Sequence, residues 1–163
     1  MRALSGRDGE YISHEVRAWT NRNEDEEMSH DPVDCLILEQ AAEAVIFANK
    51  EGVIERWNAA AETMFGFTAS EALGQSLDLV IPDHLRKAHW RGFDAALGTR
   101  KTRLRGRPTL TRGLHKTGQK LYVEMSFALV MDTNGSPLGS VAVTRDATER
   151  VERERAAMAA QPR

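Results

Sequence analysis

Residues 52–86, "GVIERWNAAAETMFGFTASEALGQSLDLVIPDHLR", decide how this chain folds. The stretch opens on Gly52, at the end of the turn Asn49-Lys50-Glu51-Gly52 between two short runs rich in Val and Ile, a hairpin signal. Asn58 then stands where an N-cap belongs, ahead of "AAAETMFGF", and Gly66 supplies the stop. Thr68 with Glu71 three residues on forms a capping box, and Gly74 ends that turn. Pro82 halts "SLDLVIP" and opens a longer helix through Thr99. Two strands, several short helices and one long helix are therefore expected in this order.

Outward from that stretch, "DPVDCLILEQ" predicts a short helix opening at Asp31 or Pro32. Beyond it, residues 107–146 hold three β-rich runs, broken at Gly118 and at Asn134-Gly135. Consecutive hairpins favour an antiparallel sheet, with the helices on one face. The expected organisation is a polar extension over 1–30 with little to bury, a folded domain over 31–148, and a charged, alanine-rich helix or tail over 149–163.

Composition narrows the function classes. Of 163 residues, 41% are hydrophobic and 28% charged, a globular balance. No apolar stretch approaches the roughly 18 residues of a spanning helix, so no membrane role is expected. A net charge of −2 argues against a nucleic-acid partner. Cys35 is the only cysteine, which suits a reducing cytoplasm. There is no phosphate-cradling glycine loop, no G-x-S-x-G and no Cys/His cluster, so an enzyme is not expected.

The long helix poses a chemical question. Leu85, His89 and Phe93 are spaced i, i+4, i+8, and Ala96 and Leu97 extend the stripe, so His89 points at the core. A buried neutral imidazole needs partners for both nitrogens, and an orphan costs about 1–3 kcal/mol. Two readings stay open on the residues alone: a core histidine bonded to a carbonyl or water, or a ligand to something the fold encloses. His84 lies about 140° away around the axis and makes no two-histidine metal face with His89.

Several segments together resemble the PAS family. Residues 52–86 are similar to the first half of a PAS domain. "KTGQKLYVEMSFALV" (116–130) resembles its DG-x-x-F-P-V-E strand, with Thr117 for the usual Asp and Tyr122 for the usual Pro. "GSVAVTRDATER" (139–150) resembles the last strand with the D-x-T that launches a signalling helix. The resemblance covers about residues 36–150 and implies an α+β PAS fold: a five-stranded antiparallel sheet, with short helices and one long helix covering one face.

Within that family, "IPDHLRKAH" (81–89) resembles the P-E-x-Y-R-x-x-H helix of FixL-type haem sensors, with Pro82, Arg86 and His89 in matching places. This resemblance implies b-type haem with His89 as the iron ligand, and Phe93, Leu97, Arg103, Thr109, Met125 and Phe127 as further cofactor contacts. Thr109 falls where those sensors carry the arginine that bonds oxygen. Arg103 falls on a propionate partner, although the basic run Arg100–Arg107 also suits a solvated edge strand. Met125 and Phe127 replace aliphatic residues; Met125 is a gap-filling core residue or a sixth ligand. The implied sensor binds CO, NO or O2, pairs as a homodimer and signals in trans to a kinase or other effector. The alternatives are a haem-free module for dimerisation or small-metabolite binding, or a site for FAD. The stretch "GQSLDLVIPDHL" (74–85) lacks the cysteine that flavin photochemistry needs.

Overall fold

The structure is a computed structural model that describes residues 32–102 and 107–160. The expected extension over 1–30 and Arg103, the expected propionate partner, lie outside the described residues. The chain runs α1 (Pro32–Glu39), β1 (Ala44–Asn49), β2 (Ile54–Trp57), α2 (Ala59–Phe65), α3 (Ala69–Ala72), a 3-10 turn (Leu77–Leu79), and α4 (Asp83–Thr99). Then follow β3 (Thr109–Leu114), β4 (Lys120–Met131), β5 (Pro137–Asp146) and α5 (Thr148–Ala159).

The five strands form one antiparallel sheet in the order β2-β1-β5-β4-β3. The last strand thus sits at the centre, between the first strand and β4. Alternation along β5 points Ser140, Ala142 and Thr144 to one face and Val141, Val143 and Arg145 to the other. The helix-covered face holds the core, built on Ile46, Ile54, Trp57, Phe65, Phe93 and Val123. The Trp57 indole donates to Phe67 O at 3.0 Å, so its polar edge is not orphaned.

Asn58 is the N-cap of α2 and more. Its side chain is fully buried. Oδ1 accepts from Ala61 N (3.1 Å) and Val45 N (2.9 Å), and Nδ2 donates to Leu38 O (3.1 Å) and Glu43 O (3.0 Å). One amide therefore ties the end of α1 and the start of β1 to α2. Gly66 closes α2 in the left-handed region, φ 78°, and Glu71 accepts from Thr68 N at 3.0 Å, as the capping box requires. Lys116 also reaches Glu71, and this ammonium, with the Thr68 N–H, holds the Glu71 carboxyl below its ordinary range.

On the outer face, the start of α5 is stitched to β4. Ala147 N donates to Tyr122 O (2.7 Å), and Tyr122 N donates to Thr148 Oγ1 (3.0 Å). The Tyr122 ring lies between the guanidinium groups of Arg112 (3.5 Å) and Arg155 (4.9 Å). Glu124 accepts from both Arg145 (2.6 Å) and Arg150 (3.0 Å). Val151 of α5 is buried with Tyr122 and Ala147. Met158 stays exposed. No residue of α1 is buried, and its Val33, Leu36 and Ile37 are exposed, whereas Leu38 is partly covered.

Candidate functional site

Between α4 and the sheet lies a cavity of about 350 Å³, within the size range of small-molecule sites. Its sheet wall comes from the inward-facing positions of four strands: Ile46 and Ala48, Ser140 to Thr144, Val123 to Phe127, and Thr111 with Gly113. Leu85, Ala88 and His89 of α4 form the helix wall. Leu77, Val80 and Ile81 close one side. The lining is mostly apolar.

His89 is the exception on the helix wall. Its Nε2 is wholly buried and, alone among the buried side-chain polar atoms of the described residues, has no hydrogen-bond partner. The ring is held by neighbours: edge-on to Trp90 (5.1 Å between centroids, 84°) and stacked on Phe93 (6.0 Å, 29°). Burial pushes the imidazole below its ordinary pKa, and the nearby Asp78 charge opposes that only in part. Burial thus favours the neutral imidazole, the form that ligates a metal, and leaves Nε2 unpaired.

Trp90 in turn is fixed from two sides. Its Nε1 donates to Asp78 Oδ1 at 2.8 Å. Its six-membered ring occupies the space a side chain at Gly52 would need: a Cβ there would lie 2.2 Å from Cη2. Gly52 also sits at φ +76°, where only glycine is at ease. Asp78 is further engaged by Arg86, whose Nη2 donates to Asp78 O at 2.9 Å.

The cavity brings together three of the residues named from the sequence: His89, Met125 and Phe127. Phe93 is instead buried in the core beside the His89 ring, and Leu97 packs on that core one turn further along α4. Neither lines the cavity. Thr109 does not line it either. It shares a face with Thr111 and Gly113, but it opens β3 beyond the rim, in register with Met125. Arg112 borders the cavity, yet its guanidinium stacks on Tyr122 of the outer face. Thr111, Ser140 and Thr144 were missed by sequence reasoning, although the alternation in "SVAVT" puts the latter two on one face. Trp90 had no local signal, because Asp78 and Gly52 reach it from other segments.

Among the described residues, no group of three or more His, Cys, Asp or Glu could hold a metal ion. Any metal bound by His89 must bring its other ligands with it. A haem would do so, with His89, half-buried and with its Nε2 enclosed, as the protein ligand to its iron. Cys35 lies in α1, away from the cavity lining. A shallow groove on the outer face, bordered by Glu124, Arg145 and Arg150, has its charges paired among themselves and offers no such group.

The PAS fold family matches residues 36–147. An uncharacterized protein of Azorhizobium caulinodans is 30% identical over 91 residues, which cover 55% of this chain and 12% of that protein. The sensor protein FixL of Bradyrhizobium diazoefficiens is 27% identical over 113 residues, 69% of this chain and 22% of its own length. The chain therefore spans under a quarter of the curated relatives it matches. The crystal structure of a PAS domain from Colwellia psychrerythraea superposes with a TM-score of 0.63 at 21% identity, covering 72% of this chain and 97% of that one.

Proposed function

The chain belongs to the PAS family, and from that premise we propose that this sensory domain holds b-type haem through His89 in the cavity between α4 and the sheet. One observation carries the reading: the buried His89 Nε2 without a partner. A fold does not leave such an atom unpaired without cost, and an iron centre would satisfy it. The depressed pKa of His89 keeps it in the neutral form that a metal takes. The likeness to FixL supports the same ligand.

Haem, when bound, would supply iron that takes a diatomic gas. The chain's own residues do the rest. Trp90 and Phe93 hold the imidazole plane. Met125 and Phe127 make the sheet side of the cavity apolar. No cationic group of the described residues turns into the cavity, since Arg112 stacks on Tyr122. The expected order of preference is therefore CO or NO over O2, because a charged donor bond is worth about 1.5–3 kcal/mol.

The domain is a sensor rather than an enzyme and works in the cytoplasm; no described helix is long and apolar enough to cross a membrane. Its output passes along α5 to a kinase or other effector in trans. The exposed Val33, Leu36 and Ile37 of α1 support pairing with a second copy. Sedimentation at micromolar concentration checks this, and a monomer overturns it.

The test of the ligand is spectroscopic. Haem-reconstituted protein should carry a Soret band that His89→Ala loses and His84→Ala, at the exposed first turn of α4, retains. Equal bands in wild type and His89→Ala overturn the assignment.

A further inference from the structure

The sheet wall of the cavity carries three hydroxyls: Thr111, Ser140 and Thr144. They are not equivalent. Thr144 is committed, donating to Met64 Sδ at 3.3 Å. Thr111 stands on the edge strand β3 and is only half-buried. Ser140 is 3% exposed, on the central strand; its side chain makes no hydrogen bond to any other described residue, and its hydroxyl, unlike His89 Nε2, is not sealed off from the cavity.

Ser140 is flanked by small side chains on one side. Its register partner on β1 is Ala48 and its same-face neighbour toward Thr144 is Ala142, whereas on β4 its partner is Leu129. Ala48 and Ala142 leave the hydroxyl uncovered on their side. The cavity thus has a free imidazole nitrogen on its helix wall and a free hydroxyl on its sheet wall, with apolar groups between. Few convergent polar groups in an apolar enclosure are what orients a small ligand.

We propose that the Ser140 hydroxyl is the hydrogen-bonding contact for a diatomic ligand held in this cavity and sets which ligand is retained. This rests on the haem reading above. A serine is a neutral donor, so its contact slows ligand loss by roughly 2- to 13-fold, the equivalent of one neutral hydrogen bond. It favours a bound ligand that carries partial negative charge.

The experiment uses the full chain loaded with haem and compares wild type, Ser140→Ala, Ser140→Thr and Thr144→Val. The C–O stretching band of the carbon monoxide complex and the dissociation rates of carbon monoxide and oxygen are measured. Ser140→Ala should shift the band and raise the oxygen dissociation rate about 2- to 13-fold. Ser140→Thr keeps the hydroxyl and should retain the wild-type band, and so should Thr144→Val, whose hydroxyl serves Met64. Soret bands in all four proteins with an unmoved C–O band in Ser140→Ala overturn the role of Ser140 and leave His89 standing. A shift in Thr144→Val alone does the same. A wild type with no Soret band overturns the haem reading and this inference with it.

Discussion

Replacing His89 by leucine separates the fold's needs from the site's. In the ligand-free protein the orphaned Nε2 costs about 1–3 kcal/mol, and an apolar side chain of similar volume removes that cost. Against this stands the loss of ring contacts with Trp90 and Phe93, each aromatic pair being worth roughly 0.5–1.5 kcal/mol. The two ring contacts together offset about 1–3 kcal/mol, the same as the orphan costs, so the ligand-free variant and wild type should be about equally stable. Haem breaks the tie. At one hundred times its dissociation constant a ligand adds about 2.7 kcal/mol to the protein that binds it, so loaded wild type should exceed His89→Leu by roughly 2.7 kcal/mol. Urea titrations of both proteins, with and without haem, read both differences. A ligand-free His89→Leu that is less stable than wild type by more than about 2 kcal/mol would mean that the imidazole has a partner, and would refute the reasoning.

Three further outcomes follow from the packing. Asn58→Ala removes four hydrogen bonds from a fully buried side chain and should cost about 2–6 kcal/mol at 0.5–1.5 each; a loss under 1 kcal/mol in urea unfolding contradicts the clamp. Gly52→Ala must adopt φ +76° and displace the Trp90 ring, so it should cost about 1–3 kcal/mol and change tryptophan emission; unchanged emission counts against the notch. The ligand-free protein should lose stability as pH falls below the ordinary histidine value of about 6.5. The unfolded chain takes up a proton there that folded His89, with its depressed pKa, does not. That contribution is complete above the unfolded value and disappears as pH drops through the folded one, and His89→Leu should flatten this part of the pH profile.

The local punctuation was legible because it is local. Asn58, Gly66, the Thr68–Glu71 pair and the turns at Gly52, Gly118 and Gly135 each act within a few residues. The spacing of His89 and Phe93 on α4 was legible for the same reason, since a helical period fixes a face. Long-range pairings were not. The second half of the Asn58 clamp, on Leu38 and Glu43, has no periodic signature. Nor does the docking of Trp90 on Asp78 and Gly52. Thr109 and Thr111 share one strand face, and only the position of the rim decides which meets the cavity. Val151 carried the same ambiguity: an apolar residue on a charged helix fits a partner or its own sheet, and Tyr122 settles the matter.

β5 lines the cavity with Ser140, Ala142 and Thr144, then passes through Ala147 directly into α5. The cavity wall and the base of α5 are one continuous piece of backbone, pinned at Tyr122. If α5 carries the output, as proposed above, that output has an angular phase. Each residue inserted within α5 turns whatever follows by about 100° and advances it by about 1.5 Å. An insertion of seven returns the phase to within about 20°, whereas two residues turn it by about 200°. Chimeras that join α5 to a reporter should therefore respond to ligand with a heptad rhythm in linker length, and the amplitude of that rhythm measures how rigidly the strand drives the helix.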